Sequence, residues 1–229
     1  MSYGFTVEIA GNYALFSRPE FKAERVSYDV ITPSAARGIL EAVMWRPAFR
    51  YIIDEIAVCE PICFENIRRN ELNGKIPYSL TATAAGGLKN GTLYAAAGDD
   101  RAQRAARVLR RVCYLVTAHF EMTSKAGEGD NEGKFAEMIK RRLRNGQSFH
   151  TPYLGCREFP ARVRLVEEGD ARPAPIEESV NMGLMLYDID YVKERDKDGF
   201  EWVREFIPLY FRAEMRRGVI DLRDAEVLR

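Results

Sequence analysis

Histidine is scarce in this chain. His119 and His150 are the only two among 229 residues, which argues against histidine-rich metal chemistry. The four cysteines, Cys59, Cys63, Cys113 and Cys156, form no Cys-x-x-Cys pair, and the Cys59/Cys63 spacing has no partner pair downstream. A zinc site is therefore not expected, and the thiols read as small buried groups in a reducing compartment. No uninterrupted apolar run approaches the roughly 20 residues of a membrane span. The N-terminus lacks the basic and apolar regions of a signal peptide. A cytoplasmic protein with no membrane partner is the expectation. An excess of either charge is also missing, since 34 Lys and Arg balance 34 Asp and Glu. That argues against attachment to nucleic acid by bulk charge but leaves room for a local basic face. P-loop, GxGxxG, GxSxG and HExxH patterns are absent, as is a carboxylate cluster suited to two-metal nuclease work. No cofactor and no metal ligand is expected. Asp188 and Asp190 would share one face of a strand, but they read as a solvated or turn feature, with a metal-dependent DNA nuclease as a remote alternative.

What is present is a soluble globular composition, 46% hydrophobic and 30% charged, on a chain long enough for a sizeable core. Phe5–Ile9 alternates as a half-buried strand, with a turn at Gly11 and Asn12. Thr32 is placed to cap a helix and Pro33 to open it; Ala35, Ala36, Ile39, Leu40 and Val43 follow at helical spacing until Pro47. Extended pieces follow around Ile53–Phe64. Arg101–Arg111 has the spacing of a short helix, and Val112–Met122 is a central strand. Asp130 and Asn131 open a second helix that runs to Arg144 and stops at Gly146. Ala161–Val166 is a further strand. The order β-α-β-β-α-β predicts an α+β, ferredoxin-like (RRM-like) fold. Residues 1–167 are expected to form it, with a mobile loop or insertion at 73–100. Residues 168–229 are expected to form a small antiparallel β region, with candidate strands at Met182–Tyr187, Phe206–Arg212 and Gly218–Leu222.

Between Ala14 and the first helix, Arg18, Lys22 and Arg25 alternate with Phe16, Phe21, Tyr28 and Pro19. Cations mixed with flat rings ahead of a helix N-terminus suit a phosphate backbone and its bases. The same pattern fits a solvated loop with aromatics folded beneath it. The residues picked for RNA contact are Lys22, Arg25, Tyr28, Arg37, Arg46, Arg68, Arg69, Tyr153 and Arg157, although any single arginine is as readily a surface ion-pair member. For proton transfer the sharpest candidate is His119. It stands on a strand ending in Glu121, at the expected edge of a sheet. Metal-independent RNA cleavage needs a base for the 2′-hydroxyl, an acid for the leaving 5′-oxygen and a cation for phosphate, and histidine suits either proton role near neutral pH. The competing reading is a hydrogen-bonded histidine that helps close the sheet.

Four ordered blocks carry a resemblance. FSRPEFKAERVSYDVITPSAARGILEA followed by a Trp-Arg-Pro, LVTAHFE at 115–121, DNEGK at 130–134 and PYLGCREFPA at 152–161 resemble the CRISPR-associated Cas proteins of family five, subtype I-C. The likeness weakens after about Glu168. It implies a ferredoxin-like RNA-binding protein that cuts the repeat of precursor CRISPR RNA without metal, leaving a 2′,3′-cyclic phosphate. The product's 5′ handle would stay bound, and the protein would serve as a subunit of the interference complex. Implied partners are the RNA repeat and handle and the backbone and large subunits of that complex. A separate expectation is that the 73–100 loop contacts guide RNA or the target DNA duplex. The family's proposed active site combines a tyrosine after the first helix, a lysine and a histidine. His119 matches the histidine. Met44 stands at the tyrosine position and Thr117 at the lysine position. Met cannot donate or stabilise charge, and Thr is a far weaker electrophile than Lys, so either other residues substitute, or cleavage is slow, or it is lost. Arg46, Tyr114 or the arginines of 107–111 are the substitutes the sequence offers. The same departures favour the alternative, a non-catalytic subunit that binds the 5′ handle.

Overall fold

A computed structural model of the chain describes residues 3–21, 24–72, 101–195 and 201–229. Lys22 and the 73–100 segment, with the expectations placed on them, lie outside the described residues. Strand β1 (Phe5–Ala14) is followed by the two-residue β2 (Arg25–Val26), helix α1 (Pro33–Val43), strands β3 (Phe49–Val58), β4 (Phe64–Leu72) and β5 (Arg101–Met122), helix α2 (Glu132–Arg144) and β6 (Arg162–Val166). In the main sheet β6, β1, β5 and β3 lie side by side, each neighbouring pair antiparallel. The last strand beside the first, and the third between first and second, is the ferredoxin-like arrangement.

Local chemistry explains the helix ends. Thr32 Oγ1 accepts from the Ala35 N–H at 3.2 Å, with Pro33 in the first turn, and Asn131 Oδ1 accepts from the Lys134 N–H at 2.9 Å. Gly146 follows α2 at a φ of +61°, where a glycine stops a helix at no steric cost. Arg142 of α2 donates to the carbonyl of Val43 at 2.8 Å and closes the C-terminus of α1.

Two local expectations are corrected. Arg101–Arg111 is strand, not helix: it forms the first half of β5 and pairs with β4 from Leu72↔Arg101 to Phe64↔Leu109. The arginines recur at helical spacing, but Ala106 and Val108 are buried on either side of exposed Arg107, and long-range pairing overrides local preference. Gly11 and Asn12 make no turn, because β1 runs through them. A Cβ at Gly11 would collide with the Leu154 side chain and come within 3.1 Å of the Pro160 carbonyl, so this glycine lets the 152–160 loop approach the strand. The cysteines are also less buried than expected, with Cys63 exposed and the other three half-buried.

The C-terminal region forms a long hairpin, β7 (Val180–Arg195) and β8 (Glu201–Met215), with β10 (Val227–Leu228) on its outer edge. Strand β9 (Val219–Asp221) leaves it and pairs with β3 at the free edge of the main sheet. The expected strands of this region are thus present, but one of them belongs to the first sheet. No helix among the described residues is long and apolar enough to cross a membrane.

Gly155 holds the 152–160 loop against the end of β1. Its φ is +82°, and a Cβ there would run into the carbonyl of Leu15, whose N–H is already bonded to the Leu154 carbonyl at 3.0 Å. Gly155→Ala is expected to cost about 1–3 kcal/mol, seen as a lower urea midpoint; an unchanged midpoint would refute the strain.

Candidate functional site

Alternation along β5 sorts its side chains. Val116, Ala118 and Phe120 are buried, and Phe120 lies in the ring cluster with Phe49, which in turn meets Phe135 of α2 at 5.0 Å. Leu115, Thr117, His119 and Glu121 therefore face the other way, away from the helices. His119 is on a central strand between β1 and β3, not at a sheet edge as its sequence suggested. Its ring is one-fifth exposed.

Opposite His119, β3 carries a bulge. The register steps from Ile53↔Ala118 to Glu55↔Thr117, leaving Asp54 as the extra residue. A bulge re-aims side chains, and here two successive acids, Asp54 and Glu55, face the open side. Both carboxylate oxygens of Asp54 lie 2.9 Å from His119 Nδ1. The backbone behind the bulge is held from its far side, where the Leu222 N–H donates to the Asp54 carbonyl at 2.9 Å. With Nδ1–H donated to Asp54, Nε2 carries the ring's free lone pair. Nε2 faces the exposed Glu121 at 3.9 Å. Arg223 stands beside these acids: its Nε and Nη2 meet Asp221 at 2.8 and 2.6 Å and its Nη2 reaches Glu55 at 3.4 Å. The Asp221 hydrogen bond is the main reason its guanidinium is held above its usual value, and Asp54 adds to that. Sequence reasoning missed Asp54 and Arg223. The one available signal was the Asp54–Glu55 pair, which interrupts the alternation of an otherwise apolar strand.

The two departures from the family pattern fall on opposite sides of the sheet. Thr117 shares the His119 face, and its hydroxyl meets that of Thr6 at 3.1 Å. Met44 is buried on the helix side, where its carbonyl accepts from the Tyr51 hydroxyl at 2.9 Å. Of the substitutes, Tyr114 is fully enclosed, and burial pushes its hydroxyl up, out of any useful range. Arg107 lies over the Phe64 ring at 4.2 Å, and Arg46 is exposed.

Among the residues picked for RNA, Tyr28 is corrected. It is buried, with the Arg18 guanidinium 4.5 Å above its ring, so it cannot stack on a base. Arg37 is likewise turned inward. Both its terminal nitrogens bind Asp188, one at 2.8 Å, and Arg50 joins the same carboxylate at 2.9 Å. Burial is the largest single influence and works against the Arg37 charge, but the Asp188 hydrogen bond together with the charges of Asp188 and Glu41 raises the guanidinium above its usual value. Asp188 is therefore no solvated turn residue: it is 4% exposed and fastens the C-terminal hairpin to α1. Asp190 instead stands by Arg229 at 3.8 Å, so the two aspartates do not form a metal pair. Arg69 is tied to Glu158 at 2.8 Å and Arg25 to Glu71 at 3.1 Å, the latter still half exposed. Arg68 and Arg157 are exposed and Tyr153 is half-buried. Arg25 and Tyr153 meet at one cavity beside α1.

Residues 4–223 match the family model described as CRISPR-associated protein (Cas_Cas5), in its Cas5d form. Two curated relatives carry the name CRISPR pre-crRNA endoribonuclease Cas5d. The one from Mannheimia succiniciproducens is 47% identical over 97% of this chain and 96% of its own. The one from Thermus thermophilus is 37% identical over 94% of this chain and 90% of its own. A solved structure titled as a CRISPR-associated protein superposes with a TM-score of 0.65 at 20% identity, covering 99% of this chain and 96% of that one, which bears on the fold.

Proposed function

This chain belongs to the Cas5 family of CRISPR-associated proteins, in its Cas5d (type I-C) branch, and on that basis we propose that it is a pre-crRNA endoribonuclease acting through His119. The observation that carries the assignment of the site is the His119–Asp54 pair on the open face of the ferredoxin-like sheet, with both carboxylate oxygens 2.9 Å from Nδ1. Asp54 fixes the tautomer, and Nε2 takes the proton from a 2′-hydroxyl. The 2′-oxygen attacks the adjoining phosphorus, the bond to the 5′-oxygen breaks, and that oxygen takes a proton from water while Nε2 returns its own to solvent. The products are a 2′,3′-cyclic phosphate and a free 5′-hydroxyl. Arg223 stands on the same acidic strip as the cation for charge that gathers on phosphate.

No metal is needed for these steps. After cleavage the protein holds the 5′ handle and joins the backbone and large subunits of the interference complex. The test uses end-labelled cognate repeat RNA, excess EDTA and a denaturing gel. One cut is expected, with a product whose mobility shifts when acid opens the cyclic phosphate. RNA that is retarded on a native gel yet uncut would overturn the cleavage reading. It would leave the handle-binding subunit that Met44 and Thr117 favour.

Asp54→Asn gives a graded check on the pair. An amide in place of the carboxylate can donate to Nδ1 and favour the wrong tautomer. Cleavage is expected to slow about 10- to 100-fold with RNA affinity unchanged, and Asp54→Glu should restore part of it. Equal rates for wild type and Asp54→Asn would remove Asp54 from the site.

A further inference from the structure

On the helix side of the sheet a cavity of about 340 Å³ opens between α1, the segment that continues β1, the 153–156 loop and Leu186 of β7. Its position opposite the His119 face makes it a place to hold a ligand, not to react it. Its size is at the lower end of small-ligand sites.

Gly38 is the informative residue. It lies in the middle of α1, is exposed, and lines this cavity. Glycine within a helix destabilises it relative to alanine, so such a glycine needs a reason. Backbone conformation gives none, since Gly38 is not among the glycines with positive φ. Packing gives none either: a Cβ at Gly38 would meet nothing within 4 Å among the described residues. Among the described residues nothing covers this bare face of the helix.

The rest of the lining describes that occupant. Among the described residues no carboxylate lines the cavity, and its single charged side chain is Arg25. Tyr153 forms a flat wall, with the His150 ring stacked beyond it at 6.4 Å and 27°. Hydroxyls of Thr32 and Ser34, 3.1 Å apart, stand at the α1 end. A flat wall, hydroxyls for a base edge and a cation for the adjoining phosphate are what single-stranded RNA recognition requires. We propose that the cavity takes one unstacked base of the bound repeat, laid on Tyr153 and along the bare face at Gly38, with Arg25 on the neighbouring phosphate. The inference rests on the RNA-binding reading above and adds to it where one base is held.

The test is affinity for repeat RNA whose 2′-hydroxyl has been removed at the mapped cut position. Gly38→Ala is expected to raise the melting temperature of the free protein, because the helix gains a better former. Gly38→Leu fills the cavity and is expected to weaken RNA binding about 5- to 100-fold, the range for loss of one stacked base; Tyr153→Ala should do likewise. In an abasic scan of the RNA, one position should weaken wild-type binding by a similar factor and be indifferent to Gly38→Leu. Unchanged affinity in both variants with a flat scan would overturn the proposal. So would unchanged RNA affinity with lost assembly into the interference complex, which would give the cavity to a protein partner. A wild-type protein that neither binds nor cuts repeat RNA would instead refute the function from which the proposal starts.

Discussion

With His119 replaced by alanine, repeat RNA is expected to bind as tightly as it does to wild type and to be cut about 10²- to 10⁴-fold more slowly, the usual range for loss of a general acid or base. The separation of the two effects follows from placement. His119 is a largely enclosed side chain held by Asp54, whereas the phosphate contacts are proposed for exposed cations elsewhere on the surface, Arg46, Arg68 and Arg157. Folding should survive, because the imidazole faces away from the buried cluster of Val116, Ala118 and Phe120. Single-turnover rates in EDTA, read beside a native gel, give both quantities. A mutant that cuts at the wild-type rate would take His119 out of the reaction and return it to the role of a residue that helps tie two strands together.

The largest stability effect is expected at Asp188. Its carboxylate is 4% exposed and accepts from both terminal nitrogens of Arg37, from Arg50 at 2.9 Å and from the Ile189 N–H at 2.8 Å. Arg37 has little else to turn to: its Nε is buried without a hydrogen-bond partner, although Glu41 lies 3.3 Å away in an ion pair. Burial already pushes the Glu41 carboxyl up, against the pull of Arg37. Asp188→Ala therefore leaves a guanidinium enclosed without its counter-charge, and a loss of about 3–5 kcal/mol is expected. Replacing both partners by apolar residues, Arg37→Met with Asp188→Leu, should recover most of it, because the cost of desolvating two charges disappears with them. Urea denaturation of the single and double variants decides the matter. A single variant within 1 kcal/mol of wild type would mean that the hairpin is held to α1 by packing alone.

The same residue marks where sequence reading reached its limit. Thr32, Pro33 and Asn131 announce the helix ends through chemistry that acts within four residues, and the β-α-β-β-α-β order follows from elements of ordinary length. Asp188 looks solvated in its Asp-Ile-Asp context, because nothing nearby in sequence reveals that Arg37, 151 positions earlier, encloses it. Tyr28 misleads similarly: an aromatic among cations reads as a platform for bases, yet the ring is buried in the core and the cation lies over it. His119 stood out by rarity and family position. Its partner did not, because a bulge is a property of two strands together, and the register that exposes Asp54 exists only once β3 has paired with β5.

Strand β9 pairs with β3 at Glu55, Ile56 and Ala57, and Leu222 then closes on the Asp54 carbonyl. The support for the reactive pair thus comes from residues made some 170 positions after the bulge itself. During synthesis the core strands and both helices emerge from the ribosome well before this support does. A nascent chain can fold its sheet, and even meet RNA, while the carboxylate that aims His119 still lacks its backing. On the proposed mechanism, competence to cut comes only once residues 219–222 have been made, after both helices and every strand of the ferredoxin-like core.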